Sequence, residues 1–327
     1  MQALVYTGPN RLEVQQADVP RPGPGELLVE VGAVGICGSD MHAYHGHDER
    51  RPPPLILGHE AAGHVAEGPR AGERVTINPL VVDPDCPQAR AGRPHLSPTR
   101  QIISMPPRPG AFAQFVTIPE RNVLPVPEGM ALATAALAEP LAVGWHAVRL
   151  GVERLGSQAA SASVLVLGGG AIGLAAALAA RHLIAGPVTI IEPNAGRRAV
   201  VRAQDFDAVA PDRAPSEQVD LVIDAVGGAA TRAHASQAVR PGGVIVHVGL
   251  LPGDAGFDIR RITLQEITVS GAYCYTPDDF AATLAAMESG ALGPLGWFEQ
   301  RRLDAGAEAF RALDAGTVAA PKIVLEP

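Results

Sequence analysis

The chain has 327 residues, more than one domain usually holds, and 47% of them are hydrophobic, so two globular units with large cores are the starting expectation. A formal charge of −8 with its positive charges scattered leaves no basic footprint for nucleic acid. Cys37, Cys86 and Cys274 are too few and too widely spaced for a disulfide framework, and the segment from Met1 to Tyr6 lacks the features of a signal peptide, so a cytoplasmic protein is expected. The longest apolar stretch, from Val164 to Ala180, is broken by Gly168, Gly169 and Gly170 and closed by Arg181 and His182, which argues against a membrane span. Lys322 is the only lysine, and the near-exclusive use of arginine reads as coding bias rather than function.

Residues 1 to 140 are rich in proline, glycine and short β-type runs, such as Leu27 to Val31 and Phe115 to Ile118, the pattern of an irregular antiparallel β unit. Two segments within it carry chemistry. Gly35-Ile36-Cys37-Gly38-Ser39-Asp40-Met41-His42 and Gly58-His59-Glu60 supply a thiolate, an imidazole and carboxylates beside hydroxyl and imidazole groups able to pass a proton. Zinc accepts sulfur, nitrogen and oxygen, and a catalytic site uses three protein ligands while leaving one position for water or substrate. Cys37, His59 and Glu60 are the candidate ligands. A lone cysteine is more often a small buried hydrophobe, but the flanking glycines permit tight turns and the rest of the chain fits a redox enzyme.

From Ser163 the pattern becomes strand (164–167), glycine turn, Ala/Leu-rich helix to about Leu183 and strand (188–191), a βαβ unit. Gly168-Gly169-Gly170-Ala171-Ile172-Gly173 fits G-x-G-x-x-G where a strand gives way to a helix, so its backbone N–H groups can meet a pyrophosphate at the helix N-terminus. Gly168, Gly170, Ala171, Ile172 and Gly173 are the candidate contacts. Glu192 closes the second strand, about where an acid accepts hydrogen bonds from the adenosine ribose, which favours NAD over NADP. Arg197, a further candidate for cofactor contact, and Arg198 lie near enough to weaken that preference, although solvated charges on the next helix are their ordinary reading. The runs Leu221 to Ile223 and Val244 to Val246 read as parallel strands covered on both faces, giving a doubly wound sheet. Thr276-Pro277-Asp278-Asp279 opens a helix expected to end near Gly290.

With these residues in view, the chain resembles, over essentially its whole length, the zinc-dependent medium-chain dehydrogenase/reductase (alcohol dehydrogenase) family, most closely its polyol, sorbitol and secondary-alcohol branch. The resemblance rests on a Gly-x-Cys-Gly-Ser-Asp-x-His segment, a Gly-His-Glu segment and Glu139-Pro140, in that order before the dinucleotide fingerprint. It implies an α/β two-domain architecture: a GroES-like β-rich catalytic domain over residues 1–140 and 276–327, and a Rossmann domain over 141–275.

The resemblance also implies that Cys37, His59 and Glu60 surround zinc, with Glu139 approaching directly or through water. Ser39 and His42 become a proton relay, and Asp40 orients the ligand histidine. Because a second bound carboxylate would leave the cation a poor Lewis acid, Glu60 and Glu139 are not expected to bind together during the chemical step. Family members with a structural zinc use four cysteines where this chain has Asp83, Cys86, Ala89 and Ser97. One zinc per subunit is therefore expected, with Cys86 a leftover thiol and His95 a surface residue. His45 and His47 near the relay, and Tyr44 and Trp145 as pocket walls, compete with readings of plain exposure and packing; His146 receives no role.

The implied activity is oxidation of a secondary alcohol or polyol to a ketone with NAD, and the reverse with NADH, by a homodimer or homotetramer whose other partner is the small-molecule alcohol or ketone. The alternatives are a zinc-free quinone or enoyl reductase of the same superfamily, which has no need of these ligands, and a non-catalytic nucleotide-binding protein, which requires neither ligands nor relay.

Overall fold

Two sheets organise the chain in the computed structural model, which describes residues 1–327. The first is seven-stranded and runs Val123–Pro125, Arg74–Ile77, Glu60–Val65, Glu26–Gly35, Lys322–Glu326 and Phe298–Arg302, with Phe115–Pro119 also paired to Glu26–Gly35. Its pairings are antiparallel except for Phe298–Arg302 beside Lys322–Glu326. The chain therefore leaves this sheet after Pro125 and returns to it from Phe298. Val29, Val31 and Val34 point into a core shared with Ile77, Phe112, Phe310 and Ile323. The register sets the chemistry: Gly35 pairs with Glu60, so the end of one strand, leading into Cys37, lies beside the start of the other, preceded by His59. Antiparallel pairing thus brings together two motifs that are far apart in sequence.

The second sheet has six parallel strands in the order Asp207–Val209, Val188–Ile191, Val164–Leu167, Val219–Asp224, Val239–His247 and Thr268–Gly271. Strands and helix of the first βαβ unit have the expected bounds, the helix being Ala171–Leu183. Strand order reverses beside Val164–Leu167, and ligands of such sheets bind in the crevice at that switch point.

Helix Ala138–Leu155 links the two halves. It begins with Glu139 in its first turn and packs along Ala171–Leu183, so closely that a Cβ on Gly144 would lie 2.5 Å from the Ala175 carbonyl carbon. Helix Pro277–Glu288, reciprocally capped between Thr276 and Asp279, lies against it. The main core joins these helices and the parallel sheet to Ala33, Ala62 and Val126 of the first half. No helix is long and apolar enough to cross a membrane.

Candidate metal and nucleotide site

Cys37, His59 and Glu60 bring their ligand atoms within 4.8 Å of one another. Cys37 precedes the short helix Gly38–Tyr44, whose Asp40 is fully buried and accepts hydrogen bonds from the Cys37 N–H at 2.9 Å and the Gly58 N–H at 3.4 Å. One carboxylate thus holds both ligand loops. Its Oδ1 also lies 3.7 Å from Nδ1 of His59. Burial alone would raise the pKa of Asp40, but His59, Arg51 and the Cys37 N–H outweigh it and hold the group below the usual carboxylate range. For His59 burial works in the opposite direction and is again outweighed, here by Asp40 and Cys37, so the imidazole's proton affinity is well above normal. Such a cage of anionic donors is built for a cation.

Glu60 is fully buried, and Lys322 donates to its Oε1 at 2.6 Å and to the Ile36 carbonyl at 2.8 Å. Its Oε2 has no partner, although buried polar atoms are nearly always paired. A Cβ on Gly35 would come 2.0 Å from that oxygen, so only glycine leaves it room. An orphaned carboxylate oxygen converging with sulfur and imidazole nitrogen fits zinc's donor chemistry. Coding bias is therefore an incomplete account of the single lysine: Lys322 is itself buried, and although burial lowers its pKa, Glu60 and Cys37 raise it further, above the ordinary lysine value.

Glu139 stands outside the cluster of three. It is buried, accepts a hydrogen bond from the Tyr275 hydroxyl at 3.0 Å, and has its pKa pushed up to about 7, chiefly by burial, with the nearby Glu60 carboxylate adding to it. Ser39 meets Arg51, a 2% exposed guanidinium whose Nη1 donates to the Ser39 carbonyl at 2.9 Å and whose Nη2 lies 3.5 Å from its hydroxyl. Arg51 also reaches the Ser104 carbonyl at 3.1 Å, and the Ser104 hydroxyl lies 3.5 Å from Nδ1 of His59. His42, on the same short helix as Ser39, has its pKa lowered by burial and by His45. It therefore stays neutral to a lower pH than an ordinary histidine.

At the nucleotide loop Gly168 has φ +96°, a region glycine tolerates, and a Cβ on Gly173 would strike the Gly168 carbonyl oxygen at 1.8 Å. Gly170 caps helix Ala171–Leu183, and a Cβ there would meet nothing within 4 Å. That open space at a helix N-terminus, flanked by Ala171 and Ile172, suits a pyrophosphate. Glu192 is buried and accepts from the Gly169 N–H at 2.8 Å and the Asn194 N–H at 2.7 Å, with Nη1 of Arg197 at 3.7 Å from Oε2. Arg198 instead turns back onto the Glu192 and Pro193 carbonyls.

The lobe departs from expectation at one residue. His95 is buried, not on the surface: its ring meets His146 edge-on at 5.0 Å, and burial pushes its pKa down to about 4. His146, given no role, is bonded to Asp279 at 2.7 Å, so the pair ties the lobe to two helices of the main core. Cys86 caps helix Pro87–Arg90 by accepting from the Ala89 N–H. Tyr44 packs on Phe310 and Trp145 beside His182, and His45 pairs with Asp314.

Residues 23–128 match the family model of the alcohol dehydrogenase GroES-like domain, and residues 171–289 that of zinc-binding dehydrogenases. The L-galactonate-5-dehydrogenase of Escherichia coli (strain K12) is 32% identical over 307 residues, 89% of this chain and 88% of that protein. The sorbitol dehydrogenase of Rattus norvegicus is 30% identical over 298 residues, 84% and 81% of the two. A Sinorhizobium meliloti 1021 structure described as a zinc-binding dehydrogenase bound to NADP superposes with a TM-score of 0.87 at 28% identity, covering 100% of this chain and 99% of that one.

Proposed function

Because the chain belongs to the zinc-dependent medium-chain dehydrogenase/reductase family, with a GroES-like domain and a Rossmann sheet, we propose that it oxidises a secondary alcohol or polyol to a ketone, with NAD as its preferred nicotinamide cofactor. The observation that carries this reading is the convergence of Cys37, His59 and Glu60 beside Ser39. Of the two relatives compared above, one is named for a sugar acid and one for a neutral polyol, whereas others of similar identity are named L-threonine 3-dehydrogenases, so a secondary alcohol is the chemistry they have in common. The test is NADH formation by the zinc-loaded protein from a panel of secondary alcohols, alditols and aldonates. Activity that survives complete chelation would favour a zinc-free reductase instead.

In the proposed mechanism Cys37, His59 and Glu60 hold zinc, which would polarise the alcohol oxygen, while NAD would accept the hydride. Asp40 keeps the His59 ring oriented. Lys322 occupies one oxygen of Glu60, leaving Oε2 free for the metal. Glu139, held by Tyr275, stays in reserve, which limits the negative charge around the metal. Ser39 takes the hydroxyl proton, and His42 passes it toward solvent.

Replacing Ser39 or His42 by alanine should slow turnover while leaving zinc content intact. The serine variant should suffer more, and the His42 variant should lose less than the roughly 10²–10⁴-fold of an essential general base, with partial rescue by imidazole. Because burial holds the pKa of His42 below the ordinary 6.5, the acid limb of the rate profile should lie below that pH, where the imidazole protonates and stops accepting. A His42→Ala enzyme with the wild-type rate and profile would remove the relay from the mechanism.

Glu192 supports the NAD preference, since a 2′-phosphate beside its carboxylate would be repelled; of the two neighbouring guanidiniums only Arg197 lies near that carboxylate, at 3.7 Å, while Arg198 is bonded to the Glu192 and Pro193 carbonyls. Glu192→Ala should narrow the ratio of kcat/KM between NAD and NADP by roughly tenfold, the size of one charge-assisted hydrogen bond. Equal use of both cofactors by the wild type would count against the preference.

We also place the protein in the cytoplasm, with its cysteines unpaired, and read it as a homo-oligomer. Val269 is exposed on the edge strand Thr268–Gly271, Leu250, Leu251, Ile259 and Leu264 are exposed in the segment leading to it, and an exposed apolar sheet edge invites pairing with a second copy. Light scattering should find a dimer or larger, and Leu264→Asp should shift it toward monomer.

A further inference from the structure

The charges around the metal site narrow the substrate class, an argument that rests on the dehydrogenase reading above. Cys274 lies within electrostatic reach of Glu139 and Cys37 and also of Arg100, with the Tyr273 hydroxyl beside it. Its thiol is partly buried, and burial pushes its pKa up to about 12, so it is an inert marker of position rather than a reactive group. Arg100 lays its guanidinium 4.7 Å over the centroid of the Tyr273 ring, donates from Nε to the Tyr273 hydroxyl at 3.3 Å and from Nη1 to the Ser97 carbonyl at 2.8 Å. No carboxylate pairs with it, and no protein group accepts from its Nη2.

Two further cations lie nearby, Arg50 within reach of the same two residues and Arg51 against Ser39. Arg50 and Arg51 share a single carboxylate, Asp48: Arg50 reaches it at 2.8 and 2.9 Å and Arg51 at 3.1 Å. Arg50 is near enough to Tyr273 and Cys274 for their charges to add to the rise in its pKa, which the hydrogen bonds it donates to Asp48 dominate. Glu49, the other acid of the segment, pairs with neither arginine. Arg100 and Arg50 therefore both lie within reach of Tyr273 and Cys274, Arg51 sits against Ser39, and Asp48 is the one carboxylate hydrogen-bonded to any of the three, on a protein whose formal charge is −8. Arg100, which no carboxylate neutralises, is positive charge able to draw in an anion on an acidic protein, and a guanidinium offers the paired donors that carboxylates and phosphates accept.

We propose that Arg100, assisted by Arg50, binds an anionic end group of the substrate, so that the alcohol oxidised at the metal site is a polyhydroxylated anion in preference to a neutral polyol. A carboxylate and a phosphate monoester present the same chemistry to a guanidinium, and the experiment separates them.

The zinc-loaded protein with saturating NAD is assayed on six-carbon aldonates, alditols and alditol 1-phosphates. At least one anionic class should exceed the alditols in kcat/KM by about tenfold or more, with an advantage that shrinks as salt rises; whichever class leads identifies the end group. Arg100→Met should reduce the anionic-to-neutral ratio by roughly 10- to 100-fold, mostly through KM, as expected for a lost hydrogen bond to a charged group. Arg100→Lys should retain part of the ratio. Arg50→Gln, at a side chain 63% exposed, should lower it in the same direction and keeps the test open if Arg100→Met fails to fold.

Alditols oxidised as well as both anions would overturn the proposal. So would variants that lower all substrates equally, or that raise KM for NAD alone, since the arginines would then serve the scaffold or the cofactor. If no alcohol at all is oxidised, the dehydrogenase reading fails separately, and calorimetry of the same aldonates and phosphates with the NADH complex decides this one. Binding that is weakened in Arg100→Met sustains an anion site, whereas absence of binding ends it.

Discussion

Cys37→Ala should yield a folded protein that binds no zinc and has no measurable alcohol oxidation. Only three side chains converge at the site, and removing the thiolate leaves an imidazole and a carboxylate already engaged by Lys322. Loss of the metal removes several kcal/mol of transition-state stabilisation, at least about 10³-fold in rate. The fold should persist, because neither apolar core contains Cys37 and the Asp40 contacts to the ligand loops use backbone donors that the substitution keeps. Metal analysis should find one zinc per wild-type chain and none in the variant, with superimposable circular dichroism. Zinc retained by the variant would remove Cys37 from the ligand set, and two tightly held zinc ions in the wild type would contradict the reading of Asp83, Cys86, Ala89 and Ser97.

Lys322→Met should be among the most destabilising single substitutions in the chain. Lys322 is 3% exposed and Glu60 fully buried, and they meet at 2.6 Å. Removing one partner of a buried pair strands the other charge at a cost of roughly 3–5 kcal/mol. The Ile36 carbonyl loses its donor as well. The penalty has a signature that a plain packing defect lacks: a bound dication partly replaces the missing ammonium, so the loss should be largest in chelated protein and shrink on adding zinc. Denaturant midpoints of wild type and variant, with and without zinc, give the comparison. An equal loss in both states would mean that Lys322 acts through packing alone, and Lys322→Arg should recover part of the stability.

The elements legible in the sequence are those whose signals are local. The first βαβ unit is bracketed by glycines and β-branched runs, and Thr276 marks its helix start by a capping box, so both are found where the residues announce them. Cys37, His59 and Glu60 are legible because each sits in a short glycine-bounded motif, although only the pairing of Gly35 with Glu60 explains why they meet. Lys322 was hidden because its partner is 262 residues away and reaches it through the pairing of Lys322–Glu326 with Glu26–Gly35. Its one available signal was its singularity. Tyr275 and Arg51 give none, since a tyrosine just before a helix cap and an arginine in a polar run are ordinary until the fold aims them at Glu139 and Ser39. His95 is buried against the expectation of exposure that a lobe rich in proline and glycine raises, because packing against His146 decides the outcome.

The seclusion of Lys322 also bears on how the protein meets electrophiles. It is the only side-chain primary amine in the chain and lies buried at the start of a sheet strand with both its acceptors inside. Acyl donors and amine-directed labels, which decorate the lysines of most proteins at random, find no ε-amino group on the native surface. Acylation at that position must wait until the strands part, so each molecule labelled at Lys322 records one such excursion. Reagents that are usually blunt would here act as a counter of how often the metal cradle comes open.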